Sequence, residues 1–121
     1  MKIRIRGNSV RYRLTKSEVE AFCREGYFEE KTHFESKNFI YKLEAKSDID
    51  QLYADFECDM ITLYINTELC SNWHKDDRVG FGGTMITKNG NSISLLLEKD
   101  FICMDETVED QSDNYPNPKV Q

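Results

Sequence analysis

The chain has no long apolar run, no Cys-x-x-Cys pair and only two prolines in 121 residues. The first absence excludes a membrane-spanning helix, which needs roughly 18 or more consecutive apolar residues. The second removes the usual zinc-ribbon and thioredoxin signatures. Cys23, Cys58, Cys70 and Cys103 therefore read as separate free thiols in a reducing compartment. The opening Met1-Lys2-Ile3-Arg4-Ile5-Arg6 lacks the apolar centre of a secretory leader, so a cytoplasmic location is expected. The most informative absence is local: no Asp or Glu precedes Glu18.

That gap sets the charge pattern. Residues 1–17 carry Lys2, Arg4, Arg6, Arg11, Arg13 and Lys16, a local charge of +6, which leaves −12 for the remainder of a chain whose net charge is −6. An acidic balance overall argues against a general nucleic-acid binder.

Alternation places the arginines. Ile3 and Ile5 alternate with Lys2, Arg4 and Arg6; after Gly7-Asn8-Ser9, Val10, Tyr12 and Leu14 alternate with Arg11 and Arg13. Period two on both sides of a Gly-Asn turn reads as a hairpin with all four arginines on one face. Thr15-Lys16-Ser17-Glu18 then fits a capping box, Val19, Phe22 and Cys23 form one apolar stripe, and Gly26 is a helix stop, predicting a helix over about residues 16–25.

The rest reads as β. Strands are expected at 32–35 and 39–45 around Ser36-Lys37-Asn38, then where Leu52, Ala54 and Phe56 alternate, and where Ile61, Leu63 and Ile65 alternate beyond Glu57-Cys58-Asp59. Residues 47–50 also fit a single helical turn. A polar loop, 66–78, holds the only Trp and the second His. Strands 80–87 and 91–98 surround an Asn89-Gly90 pair, the preferred type I′ turn, which would set Ile86 opposite Ile93 and Thr84 opposite Leu95. Residues 101–104 suggest a short last strand. No internal repeat is evident. The fold class is α+β: a mainly antiparallel β-meander curled into a half-barrel or barrel, with one early helix. Residues 1–104 form the domain, and 105–121 an acidic, proline-containing tail held, if at all, through Tyr115.

Chemistry could sit in three places. Arg4, Arg6, Arg11 and Arg13 form an array suited to carboxylate or phosphate, because guanidinium pairs both in a planar, bidentate way. Pairing with the chain's own Leu97-Glu98-Lys99-Asp100 stretch is the competing use. If the sheet closed with its charged face inward, these arginines with Lys42, Glu44, Glu98 and Asp100 would resemble the tunnel of triphosphate-tunnel enzymes. That family's opening Glu-x-Glu-x-Lys strand is missing: Glu18-Val19-Glu20-Ala21-Phe22 falls in the helix and lacks the Lys. Cys70-Ser71-Asn72-Trp73-His74, with Cys58, Cys103 and His33, offers thiolate and imidazole donors, but the spacing matches no zinc knuckle and no metal is expected. Val79-Gly80-Phe81-Gly82-Gly83 lacks the Gly-Lys-Ser/Thr of a phosphate loop, and reads as glycines permitting a bulge or close contact.

Three stretches carry a resemblance: Ile3-Arg4-Ile5-Arg6-Gly7-Asn8-Ser9-Val10-Arg11 with the helix start after it, Leu95-Leu96-Leu97-Glu98-Lys99-Asp100-Phe101-Ile102-Cys103, and Asp113-Asn114-Tyr115-Pro116-Asn117-Pro118. Together they resemble a family of short, uncharacterised bacterial proteins, a domain of unknown function. The resemblance implies a free-standing protein and transfers no activity.

The expected function is a non-catalytic binding or regulatory module that uses the Arg4/Arg6/Arg11/Arg13 face for an anionic small molecule, an acidic protein or a second copy of itself. No cofactor, nucleic acid or membrane is expected. The alternative is a metal-dependent phosphohydrolase with an inward charged tunnel.

Overall fold

The structure, a computed structural model, describes residues 1–101 and 111–116. Strands β1 (Lys2–Arg6) and β2 (Ser9–Leu14) form the expected hairpin, and helix α1 (Lys16–Glu25) follows. Strands β3 (Tyr27–His33), β4 (Asn38–Lys46), β5 (Tyr53–Glu57) and β6 (Met60–Asn66) come next. The short helix α2 (Thr67–Cys70) then precedes β7 (Gly80–Ile86) and β8 (Ser92–Lys99).

The class is α+β, but the strands do not curl into one barrel. They make two open four-stranded sheets, ordered β1-β2-β8-β7 and β3-β4-β6-β5. Four of the pairings are antiparallel; the central pair of each sheet, β2 with β8 and β4 with β6, is parallel. Each sheet is thus two hairpins laid with their second strands side by side. The outer hairpins of the chain build one sheet and the inner hairpins the other, a duplication of topology that the sequence does not repeat. Residue alternation reports faces, not neighbours, and so left the hairpin-to-hairpin pairing open.

Both inner faces are apolar and share one core. Tyr12, Leu14, Leu95, Leu97 and Phe81 come from the first sheet; Leu43, Leu63 and Ile65 come from the second. Tyr12 ties the layers together, its hydroxyl donating across the core to the Ile61 carbonyl at 3.0 Å. Helix α1 adds Val19 and Phe22, both fully buried. Its N-terminus is closed as expected. The Thr15 amide donates to Glu18 Oε1 at 2.8 Å, and the Met1 ammonium pairs with the other Glu18 oxygen. The negative charge of Glu18 in the first turn is favoured by the helix dipole as well.

Several local expectations shift. β3 starts at Tyr27 rather than at residue 32, because Gly26 ends the helix and its carbonyl is at once taken by the Ala45 amide at 2.9 Å, pulling the chain into the sheet. The loop then falls at 34–37. No helical turn forms at 47–50, where Asp48 adopts φ +64°. The last hairpin is also one residue out of the expected register: Met85, not Ile86, faces Ile93, and Thr84 faces Ser94. Within this loop only Gly90 has positive φ (+86°), so Lys88-Asn89-Gly90 makes a three-residue loop with a bulge instead of a type I′ turn. Ile86 is consequently turned outward and 65% exposed.

Gly80 is the glycine with a close-contact role. A Cβ there would lie 2.3 Å from the Leu97 carbonyl oxygen. The 66–78 loop is less polar in effect than in composition, since it delivers Trp73, fully buried, with Nε1 donating to the Arg78 carbonyl at 2.8 Å. Phe101 makes one parallel bridge, to Tyr115; the remainder of the expected strand at 102–104 lies outside the described residues.

Residues 111–116 pack on the domain. Tyr115 donates its amide to the Asp100 carbonyl at 2.8 Å, and the Asp113 carbonyl accepts from Lys16 at 3.0 Å. Ser17 Oγ donates to the Asp113 carboxylate at 2.5 Å.

Candidate anion-binding face

The first hairpin displays its cations on the outer face of its sheet, because Ile3, Tyr12 and Leu14 occupy the inner one. In the pairing register Arg4 lies opposite Arg11 and Lys2 opposite Arg13, while Arg6 lies opposite Ser9. Directly opposed like charges destabilise an antiparallel pair. β8 continues the face with Leu96 beside Arg11 and Glu98 beside Arg13.

Glu98 is the internal counter-ion. Its Oε1 accepts from Arg13 Nε at 2.8 Å and lies 3.6 Å from Arg11 Nε. Lys2 Nζ turns to the buried Asp100, 3.1 Å from Oδ2. Arg4 and Arg6 are exposed and meet no carboxylate among the described residues. Two adjoining depressions lie between these side chains. One of about 250 Å³ is lined by Lys2, Ile3, Arg4, Arg11 and Arg13; the other, of about 160 Å³, by Arg4, Arg6, Ser9 and Arg11. The sequence array is therefore brought together as a unit, with part of it neutralised from within. Lys2 was the overlooked member, although it shares the parity of Arg4 and Arg6.

Among the described residues the inward charged tunnel is not formed. Lys42 and Glu44 belong to the other sheet and flank the buried Leu43 on its outer face, where they pair with each other at 2.9 Å. The shared core of apolar residues separates that face from the arginines.

The thiols and imidazoles do not assemble. Among the described residues no three His, Cys, Asp or Glu side chains come together as a metal site, and Cys103 lies outside those residues. Cys58 sits exposed in the β5–β6 turn, and His33 bonds Asn38 at 2.9 Å. Burial pushes the Cys70 thiol up to about 11 and also raises Cys23, the opposite of what a nucleophilic cysteine requires.

Lys99 was not singled out from the sequence. It lies on the inner side of β8, 95% buried, with Nζ donating to the Asp76 carbonyl at 2.7 Å and facing the rings of Tyr115 at 4.9 Å and Trp73 at 5.8 Å. Burial lowers its pKa. It joins the 66–78 loop, β8 and residues 111–116, a structural clamp rather than part of the arginine face.

The fold and face define a small open α+β sandwich with a cationic outer surface on one sheet. The chain belongs to the Family of unknown function (DUF7009), which matches residues 1–119. No curated protein matches the chain, and no solved structure does. Among the described residues no helix is long and apolar enough to cross a membrane.

Proposed function

We propose that the protein is a non-catalytic binding module that holds a polyanionic ligand on the outer face of β1 and β2. The observation that carries this reading is the imbalance at the hairpin. Arg11 and Arg13 share the single carboxylate of Glu98, while Arg4 and Arg6 meet none among the described residues. A fold that sets Arg4 directly across from Arg11 accepts a local cost. A bound anion bridging the two guanidiniums would remove it. Arg4 and Arg11 line both depressions, so a ligand with several anionic groups spans them better than a single ion.

The test is thermal unfolding and calorimetric titration with tripolyphosphate, with and without Mg²⁺, on the wild type and on an Arg4→Ala/Arg6→Ala double variant. Ligand at a hundredfold its dissociation constant should stabilise by about 2.7 kcal/mol, shifting the midpoint by several degrees. The shift should shrink with added salt, as exposed charge pairing requires, and vanish in the double variant. A midpoint unmoved by the ligand overturns the reading. Magnesium-dependent hydrolysis of the tripolyphosphate would replace it with the phosphohydrolase.

A further inference from the structure

β1 is an edge strand whose neighbour in its sheet is β2. Arg6 and Ser9 flank a two-residue turn, so Arg6, Arg4 and Lys2 occupy the hydrogen-bonded pairs of the hairpin. The amides and carbonyls of Ile3 and Ile5 therefore point away from β2. Among the described residues no hydrogen bond from outside the hairpin reaches them.

The edge of the other sheet at β5 is treated differently. The equivalent outward amides there belong to Ala54 and Phe56, because Glu57 and Met60 flank the two-residue Cys58-Asp59 turn. Ala54 donates to Met85 Sδ at 3.3 Å, and Phe56 donates to its neighbour Asp55 at 3.0 Å. Side chains thus occupy one edge, as folded proteins commonly do to prevent strand addition, while among the described residues the outward amides of Ile3 and Ile5 in β1 meet no partner.

We infer that β1 takes up an extended acidic segment of a partner protein as an added fifth strand. The inference rests on the proposed function and names its partner. The edge is flanked by Lys2, Arg4 and Arg6 on the outer face. On the inner face Ile3 and Ile5 alternate with them, and Ile5 is 55% exposed. A complementary strand alternates Asp or Glu with Val, Ile or Phe, so that its carboxylates meet the guanidinium groups of Arg4 and Arg6 and each apolar side chain extends the core past Ile5. A second copy offers Asp55 and Glu57 alternating with Ala54 and Phe56 on β5, but its edge amides are already engaged.

The probe is a short peptide alternating glutamate with valine, titrated calorimetrically and by backbone amide shifts. Three controls separate the possibilities: the same peptide N-methylated along one edge, a polyglutamate of equal charge, and tripolyphosphate. Binding of the alternating peptide with amide shifts at Ile3 and Ile5, weakened roughly tenfold by N-methylation, supports strand addition, since about 1.4 kcal/mol of backbone bonding is a factor of ten. Ile5→Pro should abolish peptide binding while sparing tripolyphosphate binding, because it removes an edge amide that the hairpin does not use. Equal binding of the methylated peptide, or of polyglutamate, overturns strand addition and leaves the anion face intact. Absent peptide binding overturns it as well, and a simultaneous loss of tripolyphosphate binding would sink the proposed function too. Self-association of the protein that Asp55→Lys removes would overturn it in favour of a second copy.

Discussion

Arg4 and Arg11 stand directly opposite each other in the register of the first hairpin, and Glu98 on the same face is engaged by Arg11 and Arg13. Replacing Arg4 removes one half of a repulsive pair. Arg4→Ala should therefore leave the fold intact and raise its stability by a few tenths of a kcal/mol, to about 1 kcal/mol at low salt. Tripolyphosphate affinity should fall in the same variant. Denaturant unfolding beside a titration measures both. A loss of stability would mean that Arg4 has a structural partner.

Glu98→Gln gives the opposite pattern. The carboxylate accepts from Arg13 at 2.8 Å, and its own side chain is 19% exposed while that of Arg13 is 40% exposed. Discounted for that exposure, losing the charged bond should cost about 1 kcal/mol. The freed guanidiniums should then bind tripolyphosphate more tightly. Weaker binding in this variant would show that Glu98 orients the arginines rather than competing with the ligand.

Trp73 is the largest fully buried side chain and lies at 65° to the Phe81 ring, with centroids 5.3 Å apart. Trp73→Ala should cost about 3 to 5 kcal/mol, as truncation of a large core aromatic does. Trp73→Phe should cost less, retaining most of the apolar contact but leaving the Arg78 carbonyl without its donor. Chemical denaturation distinguishes this from a surface loop, for which either change would be nearly neutral.

Attachment of residues 111–116 should depend on acid pH. Hydrogen bonds from Ser17, then Thr15, hold the Asp113 carboxyl below its ordinary value. A carboxyl with a depressed pKa in the folded state stabilises fully above its unfolded pKa and loses that contribution as pH falls through the folded one. Hydrogen exchange at the Tyr115 amide, bonded to Asp100, should thus accelerate relative to core amides once the pH drops below about 4, near the usual aspartate value. Asp113→Asn should remove that dependence.

The sequence by itself determined the local elements and the faces. Thr15, Glu18 and Gly26 bounded a helix because capping and left-handed backbone are properties of a few adjacent residues. Strict alternation put Arg4, Arg6, Arg11 and Arg13 on one side of one hairpin because side chains along a strand alternate with period two. What alternation does not encode is which hairpin lies beside which. The parallel joins of β2 to β8 and β4 to β6 bring together residues more than eighty and about twenty positions apart. Only the packing of two apolar faces into one core selects them. The same packing turned the charged face outward, which replaced a tunnel with an open surface, and left Glu98 beside Arg13 as its partial neutraliser. Trp73 and Lys99 were invisible for a related reason: a loop of polar composition becomes core only when other elements close over it.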